Sequence, residues 1–248
     1  MVAYTNTGGG VPPVPPHRKH GPLYRFLMPW VFLTLFVIVF YSIRVRDPRV
    51  STEYPSWLPG ADAEAPEYVR ENFLTQNPYS RPGTYLRKIN GVVIHYVGNP
   101  GSTAGANRSY FESLSDGRSG TYASSHFIVG LEGEALQCIP LTEIAYASND
   151  RNADTVSIEV CHPDADGKFN DVTYHRLAEL AGWLCWKFDL DPFQDVIRHY
   201  DVTGKRCPLY YVEHPEAWER LRADIEAVRL RLTEEANAER SAENGTGE

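Results

Sequence analysis

His95 and His199 each close a run of apolar residues, in VVIHYVGNP and VIRHYDVTGKRCP, and polar side chains at strand ends tend to face clefts. Six residues beyond His199 stands Lys205, and eight beyond it Cys207. One loop, HYDVTGKRCP, therefore holds two potential metal donors and a cation. Imidazole and thiolate both bind zinc, and three protein ligands with a fourth position left open mark a catalytic rather than a structural site. Taken singly, a histidine is more often a satisfied polar residue than a ligand. It is the concentration of donors in one loop that carries the signal. A third apolar run, TVSIEV, contains Glu159, which reads either as a proton-transfer group or as a solvent-facing strand carboxylate.

Such groups need elements to hold them. Val92–Ile94, Phe127–Leu131 (before the turn residues Glu132 and Gly133) and Thr155–Val160 have the composition of buried strands. Tyr174–Phe188 is expected to be a helix, with Thr173 as its N-cap and Leu177, Leu180, Ala181 and Leu184 on one face. A terminal helix is expected from Pro215 to Leu232. Strands interleaved with helices predict an α/β domain over residues 77–232, built on a single mixed central β-sheet flanked by helices. None of the four cysteines falls in a CxxC pair. Cys138 and Cys185 read as small core residues, and Cys161 alternates with Glu159 along its strand.

Outside this domain the composition changes. Residues 1–25 are rich in Gly and Pro, end in a small basic cluster and are expected to be a disordered cytoplasmic tail. Residues 26–43 contain no charge, and their 18 residues would span roughly 27 Å as a helix, close to the thickness of a bilayer core. They are read as one transmembrane helix, uncleaved because no small-x-small site follows. Residues 44–76 are read as a stalk and 233–248 as a disordered acidic tail. The formal net charge of −8, with no basic stripe through the middle of the chain, argues against nucleic acid as a partner.

Four motifs occur in order: IHYVGNP from Ile94, SSHFIVG from Ser124, SIEV from Ser157 and RHYDVTGKRCP from Arg198. Together they resemble the type 2 zinc N-acetylmuramoyl-L-alanine amidases, a family that includes phage lysozyme-type amidases, bacterial wall autolysins and the peptidoglycan recognition proteins. The resemblance covers roughly residues 77–213, and its last motif is the most specific. It implies Zn2+ held by His95, His199 and Cys207, with Glu159 and Lys205 at catalytic positions. The implied reaction is cleavage of the amide between N-acetylmuramic acid and L-alanine of peptidoglycan.

His126, beside the site in the family pattern, is expected to contact substrate, as are Tyr96 and Asn149. Asn149 belongs to a polar loop, Asn149–Asn152, which reads either as a plain surface loop or as a wall of the groove. The chain departs from the phage lysozyme-type pattern at Ser125, where those members carry a catalytic tyrosine, so Glu159 is left to carry the proton transfer. A recognition module that binds without cutting, and a zinc peptidase acting within the stem peptide, are the alternative readings. The retained ligand set favours catalysis. The implied location is an anchored domain outside the membrane, facing the cell wall.

Overall fold

A computed structural model describes residues 55–245. The N-terminal tail and the apolar segment 26–43 lie outside the described residues. Among the described residues no helix is long and apolar enough to cross a membrane.

Six strands form one mixed sheet: β1 (Val69–Glu71), β2 (Val92–Tyr96), β3 (Phe127–Val129), β4 (Ala135–Gln137), β5 (Val156–Val160) and β6 (Val196–Arg198). Their spatial order is β1-β4-β3-β5-β2-β6. Strands β3, β5, β2 and β6 run parallel, whereas β4 pairs antiparallel with β3 and parallel with β1. Val92, Val93 and Ile94 are all fully buried, as a central strand covered on both faces requires. That double burial is why β2 reads as a continuous β-branched run rather than an alternating one.

Helices α1 (Ala104–Ser113), α2 (Asp171–Phe188), α3 (His199–Thr203), α4 (Leu209–Glu213) and α5 (Pro215–Gly245) complete the domain. Ile94, Ile158, Val160 and Phe127 share a core with Leu177, Leu180, Ala181 and Leu184 of α2 and with Trp218, Leu221 and Ile225 of α5. The opposite side of the sheet packs Ile128, Leu136 and Cys161 against Ala104 and Phe111 of α1. Helices α2 and α5 approach closely at Gly182, where an added Cβ would lie 2.6 Å from the Val228 Cβ and 3.0 Å from the Ile225 carbonyl oxygen.

The structure revises several expectations. Helix α2 starts three residues earlier than its apolar pattern indicates, and its N-cap is Asn170, whose side-chain oxygen accepts from Thr173 N at 2.9 Å. Thr173 instead sits inside the first turn and donates its hydroxyl to Gly130 O. Helix α5 continues past Leu232 to Gly245, through most of the segment expected to be an unstructured tail. Its Glu, Ala and Arg residues are good helix formers, and Arg231 pairs with Glu235 one turn on.

The expected stalk also folds in part. Leu58 and Leu74 are buried, and Val69–Glu71 pairs with β4 as an edge strand, so the folded unit takes in Leu58 rather than beginning at residue 77. A three-residue strand is too short to show periodicity, and its partner lies more than sixty residues away in sequence.

Candidate metal and catalytic centre

Three parallel strands, β5, β2 and β6, deliver the candidate residues at their C-terminal ends, where open α/β sheets place their ligand crevices. The β2–β5 register sets His95 directly beside Glu159. Strands in a sheet lie about 4.8 Å apart, so the two side chains emerge as neighbours on one face. On the other flank β6 runs parallel to β2 and gives way to α3 at His199.

Cys207 reaches the site through the geometry of its loop. Arg198 and Asp201 close the start of α3, with the Asp201 carboxylate accepting from the Arg198 backbone N at 2.8 Å and from its guanidinium at 2.7 Å. Asp201 therefore shapes the loop and has no bond to His199. Gly204 ends α3 in the left-handed conformation (φ 76°), and Tyr200 N donates to Cys207 O at 2.9 Å, folding the cysteine back against the helix start.

The outcome is a compact donor set. His95 Nδ1 and His199 Nδ1 lie 3.1 Å apart, and Cys207 Sγ is 3.9 Å from His95 Nδ1. All three potential ligand atoms fall within 4.8 Å of one another, and all three residues are buried. Burial holds the His95 imidazole well below its ordinary range, so it is neutral, with the neighbouring His199 and Lys205 acting in the same direction. His199 is lowered as well, by burial and then by Lys205. Burial and the nearby Glu159 carboxylate push the Cys207 thiol up to about 12. Two neutral imidazoles and a thiol turned towards each other in a buried site fit a soft-to-borderline dication, which would favour the thiolate.

Glu159 is half-buried, yet its Oε2 is sealed from solvent and makes no hydrogen bond. Burial raises its carboxyl to about 8, partly offset by the Lys205 ammonium. An orphaned carboxylate oxygen beside a donor cluster fits a site completed by a cation. Lys205 itself is exposed on the cleft wall.

These residues open onto a cleft of about 390 Å³. Tyr96 and Asn149, both expected to meet substrate, line it. Tyr96 stacks on His162 with ring centroids 5.0 Å apart, and Asn149 holds a left-handed backbone (φ 50°) at the exposed loop tip. His126 does not join them. Its ring is buried in the sheet, with Nδ1 accepting from Ser157 N at 3.0 Å and Nε2 donating to Glu143 O at 2.9 Å. Burial lowers its pKa to about 4, so it is a neutral bolt between β5 and the Glu143 carbonyl. His126 precedes β3, and its ring is held by Ser157 of β5 and the Glu143 carbonyl rather than lining the cleft. Ser125 is likewise buried and donates to Ser157 O.

Two features of the site escape sequence reasoning. Tyr122 is 58% exposed and meets Tyr146 edge-on at 5.6 Å, giving the cleft an aromatic wall. Ser148, buried against His95, belongs to no motif.

The N-acetylmuramoyl-L-alanine amidase family model matches residues 85–209, half of the chain, and takes in every cleft residue named above. The chain belongs to that family. Among curated relatives it is 34% identical over 165 residues to the N-acetylmuramoyl-L-alanine amidase BlyA of Bacillus subtilis, covering 58% of this chain and 43% of BlyA. It is 31% identical over 172 residues to CwlL of Bacillus licheniformis, covering 64% and 47% respectively. The chain thus spans about half the length of the curated relatives it matches. Solved structures share the fold. A mutant endolysin from Bacillus subtilis aligns at TM-score 0.53 and 24% identity, over 63% of this chain and 97% of its own. PlyL aligns at TM-score 0.53 and 18% identity, over 64% and 98%.

Proposed function

We propose that this amidase-family chain is a zinc-dependent peptidoglycan hydrolase that cleaves the amide between the lactyl group of N-acetylmuramic acid and the L-alanine of the stem peptide. The observation that carries the proposal is the convergence of His95, His199 and Cys207 beside Glu159 in one cleft. These three side chains would hold the metal. When bound, zinc supplies a Lewis acid for the scissile carbonyl and makes water nucleophilic near neutral pH.

The chain's own residues supply the rest. Glu159 takes a proton from the attacking water and returns it to the departing L-alanine nitrogen, leaving a free lactyl carboxylate and a free amine. Its raised pKa, which bound zinc would lower, keeps it close to the proton-exchange range of neutral solution. Lys205 presents a fixed positive charge to the oxygen on which negative charge develops. Tyr122, Tyr146 and Tyr96 offer apolar faces to sugar rings and peptide, and Asn149 and Asn152 offer amides to the stem backbone.

Digestion of purified peptidoglycan by the full-length chain, with and without a chelator, tests this reading. Released stem peptides with a free L-alanine N-terminus, lost on chelation and restored by zinc, are expected. Fragments cut within the stem, or retention on the polymer without products, would replace the amidase by a peptidase or a recognition module. The substrate lies outside the cytoplasmic membrane, which suits anchoring by residues 26–43. Recovery of the chain with washed membranes, and its release when 26–43 are deleted, is the expected result.

A further inference from the structure

We infer that Ser148 is a positioning residue for the metal site, fixing which nitrogen of His95 faces the metal. The inference rests on the zinc reading above. His95 Nδ1 points at His199 Nδ1 and Cys207 Sγ, so the ring's proton must sit on Nε2 for Nδ1 to donate a lone pair. Nε2 lies 3.2 Å from Ser148 Oγ, its one hydrogen-bond partner among the described residues. A serine hydroxyl has lone pairs to accept that N–H, and metal-bound histidines generally anchor their second nitrogen in this way.

Ser148 is itself held rigidly. The residue is 1% exposed, and its backbone N donates to Asn152 Oδ1 at 2.6 Å, an oxygen that also accepts from Ala147 N at 3.1 Å. Ser148 O in turn accepts from Arg151 N at 3.0 Å. The Asn152 amide thus clamps the turn that aims the hydroxyl. Asn149 and Asn152 both line the cleft, so the segment bordering the substrate is the segment that orients a metal ligand. No sequence motif marks this link, because Ser148 and His95 are 53 residues apart and meet only across the folded site.

The test measures zinc affinity of the full-length chain by competition with a chromophoric chelator, alongside thermal unfolding of the metal-free protein. Ser148→Ala should weaken zinc binding by about 10- to 100-fold while the metal-free protein melts cooperatively as the wild type does. Ser148→Thr, which keeps the hydroxyl, should recover most of the loss, and Asn152→Ala should weaken binding in the same direction with Asn152→Asp restoring it. Nitrogen-15 spectra of the metal-free wild type should show His95 as the Nε2–H tautomer, a readout that needs no variant to fold. Wild-type zinc affinity in Ser148→Ala, or an Nδ1–H tautomer in the wild type, would overturn the role of Ser148 and leave the amidase reading intact. Failure of the wild type itself to bind zinc would overturn both.

Discussion

Replacing Glu159 by glutamine removes one titrating group from the cleft at nearly constant shape, and the structure gives the size of the effect. Burial raises the carboxyl from its ordinary 4.5 to about 8 in the folded, metal-free protein. The folded state then holds this proton more tightly than the unfolded chain does. Its stabilising contribution is complete below pH 4.5 and is lost as pH climbs towards about 8. One pH unit across that interval corresponds to about 1.4 kcal/mol. Between pH 5 and pH 7 the wild type should therefore lose about 2–3 kcal/mol that Glu159→Gln retains.

Urea melts of both proteins in the presence of a chelator would read this as a widening gap, with the variant more stable at the higher pH. Zinc should narrow the gap in the wild type, because an adjacent dication favours the carboxylate. Turnover should move the opposite way, with Glu159→Gln retaining zinc and losing about 10²- to 10⁴-fold in kcat. A gap that does not change with pH would show that Glu159 is not a buried, proton-holding group. Full activity in the variant would refute its part in proton transfer.

Other substitutions separate the remaining roles. Cys207→Ala and His95→Ala should each abolish stoichiometric zinc in the purified chain, read by elemental analysis; zinc retained by either would remove that residue from the ligand set. Lys205→Ala should lower kcat by about 10²- to 10³-fold with zinc content unchanged. It should also raise the Glu159 pKa further, since the lysine opposes the effect of burial. Gly182→Val, at the α2–α5 crossing, should destabilise the fold by about 1–3 kcal/mol and leave zinc affinity alone; an unchanged melting temperature would mean the helices can separate at no penalty.

Much of the active centre is local in the chain and so is legible in it. The apolar runs before His95 and His199 announce strands, and HYDVTGKRCP carries a candidate donor, a cation and a second candidate donor within nine residues. A strand that ends in a chemical group delivers that group to one end of the sheet, and the alternation of side chains fixes the face on which it emerges. Helix α2 is equally plain, since its apolar spacing is a property of consecutive residues.

What the tertiary structure decided are the relations between distant segments. Only the β2–β5 register makes Glu159 a neighbour of His95, setting an ambiguous strand carboxylate beside the donor set. His126 shows the reverse, for its motif places it near the site while its hydrogen bonds to Ser157 and Glu143 hold it in the interior. Val69–Glu71 becomes a strand because β4 offers it an edge, and Ser148 becomes a partner of His95 because a turn held by Asn152 carries it there. In each case at least one deciding partner lies far away in sequence, where no local pattern of the chain can indicate it.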